Sequence, residues 1–117
     1  MKKPLIRTIA GRRLTVDVEL GIDPETMEET VSLAEMQRSE LEMAATLAES
    51  GPIVGETFVW MRKALSLQSK QLARLLDVRP ETITRWETGA VPVDRAAWFT
   101  LGELVLERIG RPRDLQE

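Results

Sequence analysis

The sequence contains no cysteine, no histidine and no tyrosine. Without cysteine the chain has no disulfide and no thiolate nucleophile, and without cysteine or histidine it lacks the ordinary ligands of a zinc site. The absence of histidine also removes the usual general base for a serine nucleophile. Carboxylates and lysines are present, but no pair has a spacing that indicates shared chemistry. We therefore expect no metal, no cofactor and no enzymatic activity.

Long hydrophobic runs are missing as well. The longest stretch without a charged residue, residues 96–102, has seven residues. This is far too short for a membrane span, and the N-terminus lacks the apolar segment of a signal peptide. We therefore expect a cytoplasmic protein. A chain of 117 residues that is 43% hydrophobic and 30% charged is typical of one small globular domain, or of a domain with an appendage.

The net charge of −3 is unevenly distributed along the chain. Residues 1–54 carry 6 basic and 10 acidic side chains, whereas residues 55–117 carry 10 basic and 9 acidic ones. An acidic total argues against a nucleic-acid ligand. Because local patches matter more than the total, the nearly balanced second half weakens that objection.

The first part of the chain has the pattern of a small antiparallel sheet. Apolar residues from Leu14 to Leu20 alternate strictly with polar ones, which predicts a half-buried strand. A preceding apolar run at residues 5–9 and a turn at residues 10–12 complete a hairpin, and a short strand is expected near residues 29–31.

A helix is predicted to follow, from a capping box at Ser32–Glu35 to the break at Gly51-Pro52. Its acidic face, with Glu35, Glu40, Glu42 and Glu49, is read as solvated, with a docking surface for a basic partner as the alternative. The break divides the chain into a possible partner-binding module, residues 1–51, and a helical domain, residues 52–117. The helix has these predicted apolar positions: Leu33, Met36, Leu41, Ala44, Ala45 and Ala48.

The second part of the chain reads as a series of short helices. Helices are predicted near residues 69–76 and 80–88, the second with Pro80 in its first turn and Gly89 as its C-cap. A last helix should run from a cap at Asp94 to about residue 108. Its apolar stripe of Trp98, Leu101, Val105 and Ile109 is interpreted either as a dimer surface or as a cover for the domain core.

Residues 65–89 have the physical features of a helix-turn-helix. Ala73 is small enough for two helices to cross closely, and Asp77 tolerates the left-handed backbone of the turn. Apolar residues on both sides of the turn would fix the angle between the helices: Leu72, Leu76, Val78, Ile83 and Trp86. The other face of the second helix would then carry polar residues that can reach bases and phosphates.

This segment resembles the lambdoid phage repressors and the XRE-type regulators. The matching positions are Leu67, Leu72, Ala73, Leu76, Val78, Thr82, Ile83, Arg85, Trp86, Glu87 and Gly89. Asp77 replaces the glycine of the family's turn, and the family's Ser-Gln pair is reversed to Gln68-Ser69, where Ser69 could cap the helix one position later. The resemblance implies a lambda-repressor-like helix-turn-helix domain; together with the strand pattern of the first part, it predicts a mainly α fold with a small N-terminal antiparallel β region.

The resemblance also implies which residues contact DNA. Arg85 matches an arginine that binds guanine, and Glu81 could accept a hydrogen bond from cytosine. Arg62 and Glu87 match an internal salt bridge, and Trp86 is expected in the core. The complete set of DNA-binding candidates is Gln68, Ser69, Lys70, Arg79, Pro80, Glu81, Thr82, Thr84 and Arg85.

The order of strands, helix, break and helix-turn-helix also resembles the MqsA-type antitoxins, which bind a toxin through an N-terminal zinc module. The similar segments are Ile9–Val16, the Glu28-Glu29 segment before the helix, and Met61–Leu67. Because the cysteine ligands are absent here, the hairpin would have to be stabilised by a small core of its own. The resemblance implies a toxin protein as a possible partner of residues 1–51.

The sequence therefore predicts a sequence-specific repressor that binds double-stranded DNA at a palindromic operator as a homodimer, and its more specific interpretation is the antitoxin of a toxin-antitoxin pair. The alternative is a protein-interaction adaptor that uses the helix-turn-helix fold without binding DNA.

Overall fold

The fold is described in a computed structural model, which covers residues 1–110. It is mainly helical, with two small antiparallel strand pairs at the N-terminus, so the predicted fold class is confirmed. The last residues of the predicted unit 52–117, residues 111–117, lie outside the described part. The elements are β1 (Lys2–Ile9), β2 (Arg12–Glu19), β3 (Gly21–Ile22), β4 (Glu29–Thr30), α1 (Leu33–Ser50), α2 (Gly55–Ala64), α3 (Ser69–Leu76), α4 (Pro80–Thr88) and α5 (Arg95–Arg108).

Strands β1 and β2 form the predicted hairpin, with Lys2 opposite Glu19 at one end and Ile9 opposite Arg12 at the other. Ala10 and Gly11 form its turn, both with positive φ. The alternation along β2 corresponds to its two faces, because Leu14 and Val18 are buried whereas the residues between them are more exposed. The predicted strand near residues 29–31 is β4, which pairs with β3.

Helix α1 covers the outer edge of β2 with two side chains. The backbone N–H of Glu19 donates to Glu35 Oε2 at 2.7 Å, and Arg38 Nη2 donates to the carbonyl of Asp17 at 2.7 Å. The capping-box prediction is therefore half right. Ser32 Oγ accepts from the N–H of Glu35 at 3.1 Å, but the Glu35 carboxylate is turned towards β2 and Arg38 rather than back to the cap.

The hairpin does not have a core of its own, which corrects the sequence-based expectation. Its buried residues Ile9 and Leu14 pack in one cluster with Met43 and Leu47 of α1, and Trp60 of α2 packs against this cluster. Neither of the two α1 residues was among the predicted apolar positions. The predicted position Leu33 is instead 74% exposed, since it lies at the very start of the helix.

The larger core lies among α1, α2, α3, α4 and α5. Trp98, Leu101 and Val105 are at most 1% exposed and belong to this core. Their interpretation as a dimer surface is therefore wrong, because these side chains already cover the domain interior; Ile109 is partly buried against the same core. Phe58, Met61 and Leu65, which the three- and four-residue spacing places on one helical face, are buried here too, and α1 reaches this core through Ala44, Ala45 and Ala48.

Candidate nucleic-acid interface

Helix α4 presents a polar stripe to solvent. Glu81, Thr84, Arg85 and Thr88 are all exposed, and their spacing of three and four residues places them on one face. The helix has Pro80 in its first turn and ends at Gly89 in the left-handed conformation, as predicted, and its N-cap is Arg79. Arg79 and Pro80 are exposed beside the stripe, whereas Thr82 is half-buried.

The opposite face of α4 fixes the helix to the domain. Ile83 is completely buried, and Trp86 is 8% exposed, as predicted for a core residue. The Trp86 ring meets Phe58 of α2 edge-to-face, with the ring centroids 5.8 Å apart and the planes at 79°. The inward face therefore sets the rotation of α4 about its axis, which in turn determines which side chains point outward.

The turn between α3 and α4 has the predicted backbone. Asp77 has φ 56° and ψ 46°, which is the left-handed conformation predicted for it in the turn. The N–H of Val78 then donates to the carbonyl of Ala73 at 2.9 Å, which closes the end of α3. Ala73 itself is buried, and α3 packs against α4.

An ion pair joins α2 to the end of α4. Arg62 Nε donates to Glu87 Oε2 at 2.6 Å and Arg62 Nη2 donates to Glu87 Oε1 at 3.2 Å, as the sequence match predicted. Arg62 Nη1 also donates to the carbonyl of Leu67 at 2.8 Å, just before α3. One guanidinium group thus holds both the approach to α3 and the end of α4, and the two side chains are only 12% and 13% exposed.

Gly55 allows α2 and α4 to approach closely, a role that sequence analysis missed. A Cβ at this position would lie 2.5 Å from the carbonyl oxygens of both Trp86 and Glu87. Only glycine fits such an approach without movement of the backbone. In the sequence, a glycine at the start of a helix cannot be distinguished from a capping residue, so no local signal could have shown that Gly55 allows this close approach.

The start of α3 carries the remaining predicted DNA contacts. Gln68 and Lys70 are exposed and Ser69 is half-buried. The suggestion that Ser69 caps the helix is wrong. Gln68 is the N-cap, and its N–H donates to Gln71 Oε1 at 2.7 Å, so a side chain from inside the helix satisfies it.

The predicted contact residues thus fall into two groups, one at the start of α3 and one on α4, and the two helices pack against each other. Thr88 was not predicted, although the spacing from Glu81 and Thr84 could have identified it. Thr84 donates to the carbonyl of Pro80 at 3.3 Å, which leaves its hydroxyl oxygen free to accept.

A comparison with known families matches the helices described above. A helix-turn-helix family model matches residues 60–95, which begin in α2 and end at the start of α5. The matched family is one of DNA-binding transcription regulators of the XRE type. A search of the curated proteins gave no match, and a search of the solved structures gave none either.

Two further observations concern the described part of the chain. None of its helices is both long enough and apolar enough to cross a membrane. Residues 1–110 also contain no group of three or more acidic, histidine or cysteine side chains arranged to hold a metal ion.

Proposed function

We propose that the protein is a sequence-specific transcriptional repressor whose helix α4 enters the major groove of double-stranded DNA. The observation that carries this proposal is the exposed stripe of Glu81, Thr84, Arg85 and Thr88 on a helix whose other face is locked into the core. An arginine, a carboxylate and hydroxyl groups are side chains that can read base edges. The family match over the same helices supports this reading.

Electrostatics also supports DNA as the ligand. Glu87, the acidic residue at the end of α4, is paired with Arg62, so its charge is compensated inside the domain. Arg79 and Arg85 are exposed on α4, and Lys70 is exposed on the packed helix α3. Phosphate contacts from such groups would give affinity and register, while the α4 stripe would give specificity.

The Arg85→Ala variant tests the assignment. We expect a loss of about 1–3 kcal/mol in binding to the DNA upstream of the gene, with relaxed specificity at one base pair. Fluorescence anisotropy with a labelled duplex measures the affinity, and Arg108→Ala, which removes an exposed arginine at the far end of α5, is the matched control. Equal affinities for the two variants would refute the role of α4. No duplex binding by the unaltered protein even at low salt would favour the adaptor function instead.

We further propose that the protein binds a palindromic operator as a homodimer. A helix of nine residues reads only a short half-site, and two copies would place their recognition helices in successive major grooves about 34 Å apart. Because the Trp98 stripe is buried, such a dimer has to use other surface, and Leu75, Val91 and Phe99 are exposed apolar side chains on the domain. Analytical ultracentrifugation with and without operator DNA tests this, and a 1:1 complex on a palindromic site would contradict it.

An antitoxin role is the most specific form of the proposal. It is supported by the resemblance to the MqsA-type antitoxins and by the hairpin and α1, which precede the helix-turn-helix. The partner would be a toxin encoded beside this gene. Co-expression with the product of the neighbouring reading frame should relieve growth arrest, and continued arrest with no co-purification would contradict the role.

A further inference from the structure

The hairpin carries a concentration of positive charge that the net charge conceals. The hairpin strands contain five basic side chains, Lys2, Lys3, Arg7, Arg12 and Arg13, and two acidic ones, Asp17 and Glu19, at the end away from the turn. Arg12 is used internally, because its Nη1 donates to Ser50 Oγ at 2.6 Å and to the carbonyl of Gly51 at 2.7 Å. Arg7 and Arg13, near the turn, are both exposed.

The turn end of the hairpin lies beside the end of α4. A groove of about 460 Å³ runs between them, lined by Thr8 and Ile9 of the hairpin, by Trp60 and Lys63 of α2, and by Glu87. Arg13 is the cross-strand partner of Thr8, so the two side chains share one face of the hairpin, whereas Arg7 is the partner of Leu14 and lies on the other face. Glu87 in turn precedes Thr88, the last member of the exposed α4 stripe. The groove thus brings the turn end of the hairpin next to the end of α4, with Arg7 and Arg13 on either face of the hairpin beside Thr8.

The hairpin is fixed in this position. The backbone N–H of Ala10 in the turn donates to Glu56 Oε2 at 2.8 Å, and Ile9 belongs to the apolar cluster against which Trp60 packs. Together with the two Arg12 hydrogen bonds, these contacts tie the turn to α2 and to the end of α1. A charged element held in place costs little ordering entropy when it meets a ligand.

The charges around the groove favour an anionic ligand. Its acidic residues are Glu56 and Glu87, and Glu87 is neutralised by Arg62. The exposed Lys63 lines the groove as well and offsets Glu56, and the exposed Arg7 and Arg13 lie beside the lining residue Thr8 in the hairpin. The charges in and beside the groove therefore sum to a positive value, and the DNA backbone that flanks the bases read by α4 is the anion that this end of the hairpin would meet.

We propose that the hairpin is a second DNA-contacting element, in which Arg7, Arg13 and Lys63 bind phosphates that flank the bases read by α4. This inference rests on the proposed function, since it assigns a further part of the same complex. It gives the N-terminal part of the chain a role in DNA affinity that is independent of any protein partner.

The salt dependence of binding tests the inference. Each lost phosphate contact lowers the slope of log K against log salt by about 0.9, which corresponds to about an eightfold loss of affinity at 0.1 M salt. We expect this change for Arg13→Gln and a larger one for Arg7→Gln combined with Arg13→Gln. Base preference at the α4 positions should not change. Arg108→Gln, which removes one charge at the end of α5, should leave the slope unaltered.

Duplex length provides a second readout. Trimming the flanks of the operator should weaken DNA binding by the unaltered protein but not by the Arg7/Arg13 variant.

If the unaltered protein binds DNA, Arg85→Ala weakens this binding, and the hairpin variants keep the original slope, then the inference fails while the proposed function stands. In that case the hairpin charges would be available to an acidic protein instead. If no variant binds DNA, the unaltered protein included, both fail together. Unfolding midpoints confirm that each variant is folded.

Discussion

The pair formed by Arg62 and Glu87 offers the sharpest test of how the recognition helix is held. We consider Glu87→Ala, which leaves the Arg62 guanidinium without its carboxylate in a site where 12% of that side chain is exposed. Removing one partner of a buried pair costs about 3–5 kcal/mol, because the other charge stays desolvated. Here the carbonyl of Leu67 still accepts a hydrogen bond from Arg62, and the pair is not completely buried. We therefore expect Glu87→Ala to lower the free energy of unfolding by about 2–3 kcal/mol.

The double variant Arg62→Met, Glu87→Leu separates the pair's net contribution from the cost of breaking it. With both charges replaced by apolar groups of similar size, no charge is left uncompensated, and we expect less than about 1.5 kcal/mol of destabilisation. The double variant should therefore be more stable than Glu87→Ala. It should still bind DNA more weakly than the unaltered protein, because the guanidinium no longer orients the end of α4.

Urea unfolding followed by circular dichroism measures both changes in the free energy of unfolding. At about 4 °C per kcal/mol for a domain of this size, Glu87→Ala should lower the thermal midpoint by about 10 °C. The matched control is Glu103→Ala, which removes an exposed carboxylate from α5 and should cost less than about 0.5 kcal/mol. A loss for Glu87→Ala no greater than for Glu103→Ala would show that the pair does not hold α4.

Three other substitutions have defined outcomes. Gly55→Ala should lower the free energy of unfolding by about 1–3 kcal/mol and weaken DNA binding, because its Cβ would lie 2.5 Å from two α4 carbonyl oxygens. The control is Gly21→Ala, whose Cβ would lie 3.6 Å from the nearest atom. Equal stabilities of the two variants would contradict the close approach. Asp77→Val should lose about 1–2 kcal/mol relative to Asp77→Gly, since valine resists the left-handed backbone; equal unfolding midpoints would refute this. Hydrogen bonds from Arg38 and from the backbone N–H of Glu19 lower the pKa of Glu35 from 4.5 to about 2. The ionised Glu35 carboxylate therefore stabilises the fold above pH 4.5, and this contribution is lost as the pH falls towards 2. Unfolding titrations of Glu35→Gln should therefore show a flatter decline over that range, and an unchanged decline would exclude the linkage.

The helix-turn-helix could be predicted from the sequence because its determinants are local. Asp77, Pro80 and Gly89 each specify a backbone conformation at one position, and the structure has the predicted conformation at all three. The ion pair between Arg62 and Glu87 was predicted only through the family resemblance. Nothing in the spacing of two residues that far apart shows that they meet.

The packing of the longer helices could not be predicted in the same way. Helix α1 buries two faces, one against the helical core and one, through Met43 and Leu47, against the hairpin. A single apolar stripe was assumed, so the second face was missed. For α5 the stripe itself was right, but whether Trp98 faces its own domain or another copy depends on where α1 lies, which periodicity does not specify.

The distribution of paired charges shows how a chain with a net negative charge can still expose arginines outside its ion pairs. Among residues 1–110, the ion pairs join Glu35 and Glu42 to Arg38, Glu87 to Arg62, and Glu19 to the amino terminus. Acidic side chains are thus used to fix the scaffold, whereas Arg13 and Arg85 lie exposed outside these pairs. The field at a ligand surface depends on which charges lie there and are not compensated nearby, rather than on their sum over the chain. A net charge of −3 is therefore compatible with DNA binding, and the salt slope of the hairpin variants measures how far the basic surface extends from α4.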